Sequence, residues 1–324
     1  MNILITGCAG FIGFHLSKRL ISNGHRIYGI DNLNNYYDVN LKKKRIKILK
    51  ELLNSKKNFV FKKIDISKYK LLYSFLKNKK IDVVVNLAAQ AGVRYSIQHP
   101  EEYFKSNVFG FFNILEISKK LKIKHLVYAS TSSVYGNSKK MPFFEENMNC
   151  KPIQFYAATK ISNESMAISY SNIYGIKTTG FRFFTVYGPW GRPDMALYKF
   201  SKNILENKPI NVYNFGNHTR DLTYIDDIVS GIYNSIVLQT DYKFEVFNLG
   251  NTRSIGLKKI IQILKSNYKK KIKIKYLKLQ KGDIKDTRSN ISKAKKIIKF
   301  SPKTNVETGL KNFCNWFKNY YENK

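Results

Sequence analysis

Hydrophobic positions in the first half of the chain follow two alternating spacings. Short runs rich in aliphatic, β-branched or aromatic residues predict buried strands at residues 1–6, 26–31, 59–61, 82–87 and 124–129. Between the first two runs, Ile12, Leu16 and Leu20 recur every fourth residue and form one apolar helical face. Helical patterns fill the remaining gaps. This alternation predicts an α/β fold built on a doubly wound parallel sheet of the Rossmann type.

The character of the chain changes after about residue 185. The elements become shorter and more polar, and residues 188–193 form a loop that contains glycine and proline. A later run at 244–249 is typical of a strand that returns to the main sheet. We therefore expect a doubly wound domain over 1–185 and a smaller, interwoven C-terminal substrate domain over 186–324, with a nominal boundary between them.

A glycine-rich turn joins the first predicted strand to the first helix. Gly7, Gly10 and Gly13 give the spacing TGxxGxxG, and Phe11 and Ile12 open the helix. In this arrangement backbone N–H groups approach a pyrophosphate, which sits at the positive end of the helix dipole. The turn therefore predicts a dinucleotide-binding site.

The second predicted strand ends in Asp31, eighteen residues after Gly13, and Asn32 follows it. A carboxylate here accepts hydrogen bonds from the adenosine ribose and repels the 2′-phosphate of NADP, so NAD is the predicted cofactor. Ligands of open α/β sheets bind at the carboxyl ends of the strands. Residues at the next strand ends complete the predicted cofactor site: Asp65, Ile66, Leu87, Ala88 and Ala89.

A cluster of hydroxyl groups follows the strand predicted at 124–129. This cluster includes Thr131. On the next predicted helix, Tyr156 and Lys160 lie four residues apart and therefore share a face. A phenol with a pKa near 10 is a poor base at neutral pH, but a neighbouring ammonium or oxidised nicotinamide lowers that pKa. The pair therefore predicts removal of a proton from a sugar hydroxyl while hydride leaves the same carbon.

Composition excludes several classes of protein. The 324 residues are 43% hydrophobic, which supports a large core and argues against disorder. No apolar run reaches the roughly 18 residues that cross a bilayer, and the N-terminus is itself a predicted strand, so neither membrane insertion nor a signal peptide is expected. Cys8, Cys150 and Cys314 are too scattered for a disulfide framework or a metal site, which favours a cytoplasmic location and no metal.

The net charge of +35 raises the alternative of a nucleic-acid-binding protein. The lysines, however, are spread from 42–44 to 269–271 and 295–296, and no basic stretch has the aromatic spacing of an RNA-binding sheet. We interpret the charge as a solvated basic surface that follows genome composition, and we expect no nucleic-acid partner. A positive field would still help to gather an anionic nucleotide substrate.

These motifs together resemble those of the extended short-chain dehydrogenase/reductases. The resemblance rests on the glycine turn, the hydroxyl-rich strand end, the YxxxK pair and residues 220–227, and it covers residues 2 to about 318. Within that superfamily, residues 86–96 and 187–196 are most similar to UDP-glucuronate 4-epimerases. The resemblance implies an isomerase of polysaccharide biosynthesis that uses tightly bound NAD. It would convert UDP-glucuronate to UDP-galacturonate through a 4-keto intermediate.

The same resemblance implies roles for individual residues. Thr131, Tyr156 and Lys160 would form the catalytic trio, with Thr131 bound to the sugar 4-oxygen and Lys160 also holding the nicotinamide ribose. Arg220 matches the position that grips the UDP diphosphate, and Asn107 matches a buried residue near the active site. Relatives are often homodimers through a four-helix contact that includes the Tyr156 helix, so a homodimer is expected.

Candidate substrate-binding residues come partly from the residue types and partly from the resemblance. A sugar carboxylate needs several donors, and serine or threonine hydroxyls and one arginine could supply them. Residues 280–283 resemble a QPGD segment of the family, with Lys281 in place of proline. The predicted substrate-binding set is Arg94, Ser132, Ser133, Thr185, Arg192, Arg220 and Gln280.

Several alternatives remain open at this point. A 4,6-dehydratase would need an acid and a base next to Thr131, where this chain has Ser132 and Ser133. A UDP-glucuronate decarboxylase shares the catalytic trio and would release CO2. The substrate could also be a neutral or N-acetylated UDP-hexose. From a different class, a non-catalytic NAD-binding scaffold or a nucleic-acid-binding relative would conserve the fold without turnover.

Overall fold

The computed structural model describes residues 1–53, 55–147, 151–280 and 282–322, so Cys150 and Lys281 lie outside the described residues. The strands are β1 (Asn2–Thr6), β2 (Arg26–Asp31), β3 (Phe59–Lys63), β4 (Val83–Asn86), β5 (His125–Thr131), β6 (Lys177–Phe183), β7 (Thr185–Tyr187), β8 (Ile210–Tyr213), β9 (Thr219–Tyr224), β10 (Phe244–Leu249), β11 (Ser254–Gly256) and β12 (Ile274–Leu277).

The helices are α1 (Phe11–Ser22), α2 (Val39–Glu51), α3 (Ser55–Asn58), α4 (Tyr69–Leu76), α5 (Tyr95–Gln98), α6 (Pro100–Tyr103), α7 (Gly110–Lys120), α8 (Phe155–Tyr174), α9 (Ala196–Leu205), α10 (Ile225–Val237), α11 (Leu257–Tyr268), α12 (Ser292–Ile298) and α13 (Val306–Glu322). A π-helical segment, Phe104–Phe109, joins α6 to α7, and short 3₁₀ turns lie at Ser132–Tyr135 and Asn214–Gly216. Among the residues described, none of these helices is long and apolar enough to cross a membrane.

The central sheet confirms the predicted doubly wound α/β fold. Within the described residues it has seven strands in the order β10-β6-β5-β4-β1-β2-β3, and every neighbouring pair is parallel. Alternate residues of β1 face opposite sides: Ile3 and Ile5 pack into one hydrophobic core and Leu4 into another. Strands covered by helices on both faces are apolar throughout, which is why these runs are dense in aliphatic residues.

Strand β10 brings a segment of the C-terminal half into the main sheet. It pairs in parallel with β6, from Phe244 opposite Thr178 to Leu249 opposite Phe183. Strand β5 runs two residues beyond the predicted end at 129, so Thr131 is its last residue. The hydroxyl cluster therefore begins within the strand and continues into the following 3₁₀ turn.

The rest of the C-terminal half packs on the same core as α1. It includes the sheets β11-β9-β7 and β12-β8 in the described part of the chain. Trp190 lies between the two layers, with its ring centroid 5.6 Å from Phe14 on α1 and 5.5 Å from Trp316 on α13. This packing fixes the 188–194 loop over the carboxyl edge of the main sheet.

Candidate active site

A cavity of about 1120 Å³ lies along the carboxyl ends of strands β1 to β6. It brings together nearly all of the residues predicted from the sequence. Its lining includes Gly7, Gly10, Phe11, Ile12, Gly13, Asp31, Asn32, Asp65, Ile66, Leu87, Ala88, Ala89, Arg94, Thr131, Ser132, Ser133, Tyr156, Lys160, Thr185, Arg192 and Arg220. Gln280 is the predicted residue that does not line it, and its buried Oε1 has no hydrogen-bond partner among the described residues.

The turn between β1 and α1 has no room for side chains. Gly7 has φ +70°, and a Cβ there would lie 2.7 Å from the Ala88 backbone nitrogen. A Cβ on Gly13 would lie 2.2 Å from the Gly7 carbonyl oxygen. Gly10 precedes the first turn of α1, whose free N–H groups face the cavity edge. These residues fit the pyrophosphate of a dinucleotide at a helix N-terminus.

The ends of β2 and β3 form a hydrogen-bonded acidic corner. Asp31 accepts hydrogen bonds from the backbone nitrogens of Leu33 at 2.8 Å and Ala9 at 3.2 Å. Asn32 Nδ2 donates to Asp65 Oδ2 at 3.0 Å. Burial raises the pKa of Asp31, while the bond from Leu33 opposes that effect. The corner places two carboxylates and one amide where the ribose of a dinucleotide would lie.

Two basic residues of α2 are buried beside this corner. One of them is Lys42, which corrects its interpretation as solvated, while Lys43 and Lys44 are exposed as expected. Lys42 is 4% exposed, and its Nζ donates to the carbonyl oxygen and the Oδ1 of Asn34, both at 2.7 Å. Arg45 is fully buried, donating to the Ala9 carbonyl at 2.7 Å and to the Trp190 carbonyl at 2.5 Å. Both face inward because they share the buried face of α2 with its aliphatic residues. Arg45 thereby links the glycine turn to the 188–194 loop.

The catalytic candidates meet where α8 begins beside the end of β5. Lys160 Nζ donates to the Ala129 carbonyl at 2.9 Å. The Thr131 hydroxyl is a neighbouring donor that favours the phenolate of Tyr156, and Tyr103 packs edge-on against the Tyr156 ring with centroids 6.0 Å apart. Thr131 Oγ1 also accepts a hydrogen bond from the Ser133 backbone nitrogen at 3.2 Å. A phenol, an ammonium and a hydroxyl therefore converge on one wall of the cavity.

The electrostatics of this wall differ from the sequence expectation. Burial raises the pKa of Tyr156, and the opposing effects come from Arg192 and the Thr131 hydrogen bond rather than from Lys160. Burial also lowers the pKa of Lys160 to about 8, against the attraction of Glu164. The Lys160 ammonium is directed at the Ala129 carbonyl and not at the phenol. The charges that act most directly on Tyr156 come from the 188–194 loop.

The guanidinium expected to hold a sugar carboxylate already has an acidic partner. Arg192 donates from Nε to Asp194 Oδ1 at 2.9 Å and from Nη2 to Oδ2 at 2.6 Å. Tyr36 lies beside the pair, with its hydroxyl 3.4 Å from Asp194 Oδ2. The pair lines the cavity near Tyr156 and has no net charge. This corrects the expectation of an unpaired positive charge at Arg192.

Two further arginines line another part of the cavity. Arg94 Nη2 donates to Asp283 Oδ2 at 2.8 Å, and its guanidinium lies 4.8 Å above the Tyr213 ring. Arg220 donates from Nη1 to the Lys285 carbonyl at 2.7 Å, so it is held by backbone oxygens and not by a carboxylate. Such arginines offer charged donors suited to phosphate oxygens.

Asn107 occupies the middle of the π-helical segment and is 1% exposed. Its Oδ1 accepts from the Gln90 backbone nitrogen at 2.8 Å, and its Nδ2 donates to Thr159 Oγ1 at 3.1 Å. Asn163 Nδ2 donates to the Asn107 carbonyl at 2.7 Å. Single π-turns within helices are frequent at functional sites, and this one ties α8 to the loop after β4.

Sequence reasoning missed several charged residues of the cavity wall, among them Lys42, Asp194 and Asp283. It also missed Arg45, which is buried behind the wall. Asp194 and Asp283 stand in the motifs already singled out, so an acid two residues from Arg192 was an available signal for the ion pair. Lys42 and Arg45 offered a weaker signal, since their four-residue helical spacing from Leu41, Ile46 and Leu49 places them on the apolar face of α2.

Metal and disulfide chemistry find no support in the described part of the chain. No three His, Cys, Asp or Glu side chains described are grouped to hold a metal ion. Cys8 and Cys314 are both buried and unpaired with other cysteines.

Comparison with known proteins gives consistent matches over most of the chain. The pattern of the NAD-dependent epimerase/dehydratase family matches residues 3–250. An uncharacterised protein of Methanocaldococcus jannaschii is 52% identical over 98% of this chain and 96% of its own length. UDP-glucuronate 4-epimerase 1 of Arabidopsis thaliana is 42% identical over 99% of this chain and 77% of its own length.

The fold also matches a solved structure along its whole length. UDP-glucuronic acid 4-epimerase from Bacillus cereus, in complex with UDP-glucuronic acid and NAD, superimposes with a TM-score of 0.91. That chain is 34% identical, and the match covers 99% of this chain and 100% of the other.

Proposed function

Because the chain belongs to the NAD-dependent epimerase/dehydratase family, we propose that it is an NAD-dependent UDP-sugar 4-epimerase that converts UDP-glucuronate to UDP-galacturonate. The observation that carries this proposal is the meeting of Thr131, Tyr156 and Lys160 with a side-chain-free glycine turn in one cavity. The family also agrees with the resemblance identified from the sequence motifs.

NAD, when bound, supplies reversible hydride transfer at the sugar C4, so that a 4-keto sugar forms and is reduced again. The chain's own part is to hold the dinucleotide. Backbone groups at Gly7, Gly10 and Gly13 suit its pyrophosphate, and Asp31 suits the adenosine ribose. The remaining proposed contacts are Phe11, Ile12, Asn32, Asp65, Ile66, Leu87, Ala88, Ala89, Tyr156 and Lys160.

Tyr156 is the group proposed to move the proton. Its phenolate would take the proton of the C4 hydroxyl when that carbon is oxidised and return it when the keto group is reduced. The hydrogen bond from Thr131 and the charge of Arg192 both favour the phenolate, against the effect of burial. Thr131 would also bond the sugar 4-oxygen. Lys160 would hold the nicotinamide ribose with an ammonium that burial brings close to deprotonation at neutral pH.

The hydroxyl cluster is proposed to hold the sugar carboxylate. Ser132, Ser133 and Thr185 line the cavity next to Thr131. The 4-keto uronate is a β-keto acid. It loses CO2 when the bond between C5 and the carboxylate carbon aligns with the π system of the C4 carbonyl. Donors on several sides would keep the carboxylate out of that alignment, which favours epimerisation over decarboxylation. Arg192 would also bind the sugar carboxylate, but its positive charge is partly balanced by Asp194.

The diphosphate is proposed to lie between Arg94 and Arg220. Both guanidinium groups line the cavity, and their charge suits phosphate oxygens. Gln280 belongs to the proposed substrate-binding set from sequence, although it lies outside the cavity lining. The UDP-sugar is thus the proposed small-molecule partner. Residues 1–185 would supply the cofactor contacts and part of the sugar contacts, and 186–324 would add Arg192, Arg220 and Gln280.

A homodimer in the cytoplasm is the proposed state of the protein. Phe104, Phe109 and Phe112 are 56%, 45% and 40% exposed on the π-helical segment and α7, and Ile168 of the neighbouring α8 is 40% exposed. Large apolar residues grouped on adjacent helices favour burial against a second copy. The two described cysteines, buried and unpaired with each other, fit a reducing compartment.

The deciding experiment incubates the purified protein separately with UDP-glucuronate and UDP-glucose at equal concentrations. Product sugars are resolved and CO2 is measured in parallel. We expect UDP-galacturonate without CO2, and a kcat/KM for UDP-glucose at least about tenfold lower, because unpaired donors in a closed site cost roughly 1.5–3 kcal/mol each. Equal rates would refute the uronic-acid preference, and CO2 in proportion to turnover would make the protein a decarboxylase.

A further inference from the structure

Glu164 is a buried carboxylate that the proposed reaction does not use. It lies four residues after Lys160 and eight after Tyr156, on the same side of α8. Its side chain is 8% exposed, and both oxygens are taken up. Oε1 accepts from Arg182 Nε at 3.0 Å and Oε2 accepts from Arg182 Nη2 at 2.7 Å. Ser130 Oγ donates to Oε1 at 2.5 Å.

Strand β5 contacts this side of α8 with three consecutive residues. The Ala129 carbonyl accepts from Lys160, and the Ser130 hydroxyl donates to Glu164. The third strand residue, Thr131, is a neighbouring donor that favours the phenolate of Tyr156. Two of the three helix residues are thus bonded directly to the strand, and the third lies beside it. The bond between Ser130 and Glu164 therefore ties the strand end that carries Thr131 to the helix that carries the catalytic pair.

We propose that Glu164 is a positioning residue for the catalytic pair, holding the Ser130–Thr131 strand end against α8 and placing its negative charge on the side of α8 that carries Lys160. The inference rests on the proposed function, because it assigns Glu164 a task only if Lys160 must carry a charge for turnover. Both roles depend on the Glu164 carboxylate. Its negative charge acts on Lys160, and its oxygen accepts a hydrogen bond from Ser130.

Electrostatics support the role of the negative charge. Burial lowers the pKa of Lys160 to about 8, and the charge that raises it is that of Glu164. The groups that face this part of α8 from its own and the neighbouring elements are Tyr103, Tyr128, Tyr135, Glu145, Tyr156, Glu164 and Arg182. Of the two carboxylates, Glu164 is the one whose charge raises the pKa of Lys160. Replacing it would remove that anion and leave the Arg182 charge unpaired, and both changes disfavour an ammonium nearby.

The test is the pH profile of kcat for Glu164→Gln. We expect its alkaline limb to move at least about one pH unit lower, while turnover near pH 6 is retained, because Lys160 is still protonated there. Glu164→Asp should recover part of the shift, since the charge is restored. Glu116→Gln is the matched control. That carboxylate lies on α7 and accepts from Tyr170 of α8 at 2.6 Å, so its loss should leave the limb in place.

Glu164→Gln leaves a buried guanidinium without its partner, which destabilises folds strongly. A double variant, Glu164→Met with Arg182→Met, removes both charges and keeps apolar volume. It too should show the displaced alkaline limb. A limb unchanged from that of the starting protein in the folded double variant would overturn the proposal.

A second measurement follows Lys160 without turnover. The free energy of unfolding is compared between each protein and its Lys160→Met derivative across the neutral to alkaline range. In the starting protein the difference should begin to change near pH 8, where Lys160 titrates. In the Glu164 variants it should change at lower pH, and coincident curves would refute the role. If no UDP-sugar is turned over, the proposed function fails, yet this measurement still decides the effect of Glu164 on Lys160.

Discussion

The Arg192 guanidinium and the Asp194 carboxylate form a two-bond ion pair, with N–O distances of 2.9 Å and 2.6 Å, beside the catalytic tyrosine. The two residues also act on Tyr156 in opposite directions, because Arg192 lowers its pKa and Asp194 raises it. Asp194 therefore limits both the attraction of the cavity for an anionic sugar and the acidity of Tyr156. With an uncharged residue at 194, the Arg192 charge would attract an anionic sugar more strongly and would lower the pKa of Tyr156 further.

Asp194→Asn should increase the preference for UDP-glucuronate over UDP-glucose by about tenfold, because the exposed charge of one arginine stabilises a carboxylate by roughly 1.5–3 kcal/mol. The acidic limb of the kcat profile should also move to lower pH, since the anion that raises the pKa of Tyr156 is gone. The measurement is kcat/KM for both sugars across pH. Asp241→Asn, at an exposed position, is the control. A preference that falls would show that Asp194 itself positions the substrate.

Tyr156→Phe should reduce kcat by at least about 100-fold, because a positioned acid–base group typically contributes that much or more. UDP-sugar affinity, measured by calorimetry, should change little, because only one hydroxyl is lost. The control is Tyr103→Phe, which keeps the ring packed edge-on against Tyr156 and removes a hydroxyl that bonds the Ala91 carbonyl at 3.1 Å. Comparable losses in both variants would mean that turnover is sensitive to the loss of either hydroxyl, and that the phenol of Tyr156 has no specific part in proton transfer.

Gly13→Ala should abolish retention of the dinucleotide. The added Cβ would lie 2.2 Å from the Gly7 carbonyl oxygen, so the glycine turn must move. Gly256→Ala is the matched control, because a Cβ there meets nothing within 4 Å. The dinucleotide released on denaturation is quantified for both proteins. Full retention by Gly13→Ala would place the pyrophosphate elsewhere.

The protein purified without added nucleotide should release NAD(H) and not NADP(H). Asp31 is half-buried, and both of its oxygens are held by backbone N–H groups, so it cannot turn away from a 2′-phosphate. Chromatography of the supernatant after denaturation identifies the nucleotide. A majority of NADP would mean that Lys42, buried next to Asp31, outweighs the carboxylate.

Lys160 makes stability depend on pH in the alkaline range. Its folded-state pKa of about 8 lies below the ordinary value of 10.5. Between these values the unfolded chain binds the proton and the folded chain does not, so the free energy of unfolding rises with pH. The stability advantage of Lys160→Met over the starting protein should therefore shrink by about 1–2 kcal/mol between about pH 8 and pH 9.5. Denaturant melts at each pH measure it, and parallel curves would show that Lys160 has an ordinary pKa.

Features encoded within a few neighbouring residues could be predicted from the sequence. The glycine turn, Asp31 at the end of β2 and the four-residue spacing of Tyr156 and Lys160 all belong to this group. Each is a local pattern whose conformation follows from strand or helix periodicity. The ends of the strands were predicted less accurately. Strand β5 was predicted to end at 129, but it extends to Thr131 because its last residues still pair with β6.

Contacts between distant segments could not be predicted in the same way. Arg94 and Asp283 are 189 positions apart and meet only because the chain folds the two segments across the cavity. Arg45 occurs in a lysine-rich run typical of a solvated helix face, yet tertiary packing buries it completely. Gln280, placed by resemblance alone, lies outside the cavity lining. The acceptor of the Lys160 ammonium, the Ala129 carbonyl, also could not be predicted, since helical spacing does not reveal which acceptor an ammonium chooses.

Strand β10 has a consequence for how the chain can be divided. A fragment ending at residue 185 would lose its partner for β6, whose outer N–H and C=O groups would then form a bare sheet edge next to Phe181 and Phe183. Such an edge is a template for pairing with another chain, and we expect the fragment to aggregate. The two halves are therefore not exchangeable modules. A chimera that swaps the sugar-binding half for that of a relative must carry its own seventh strand, matched to β6 in register.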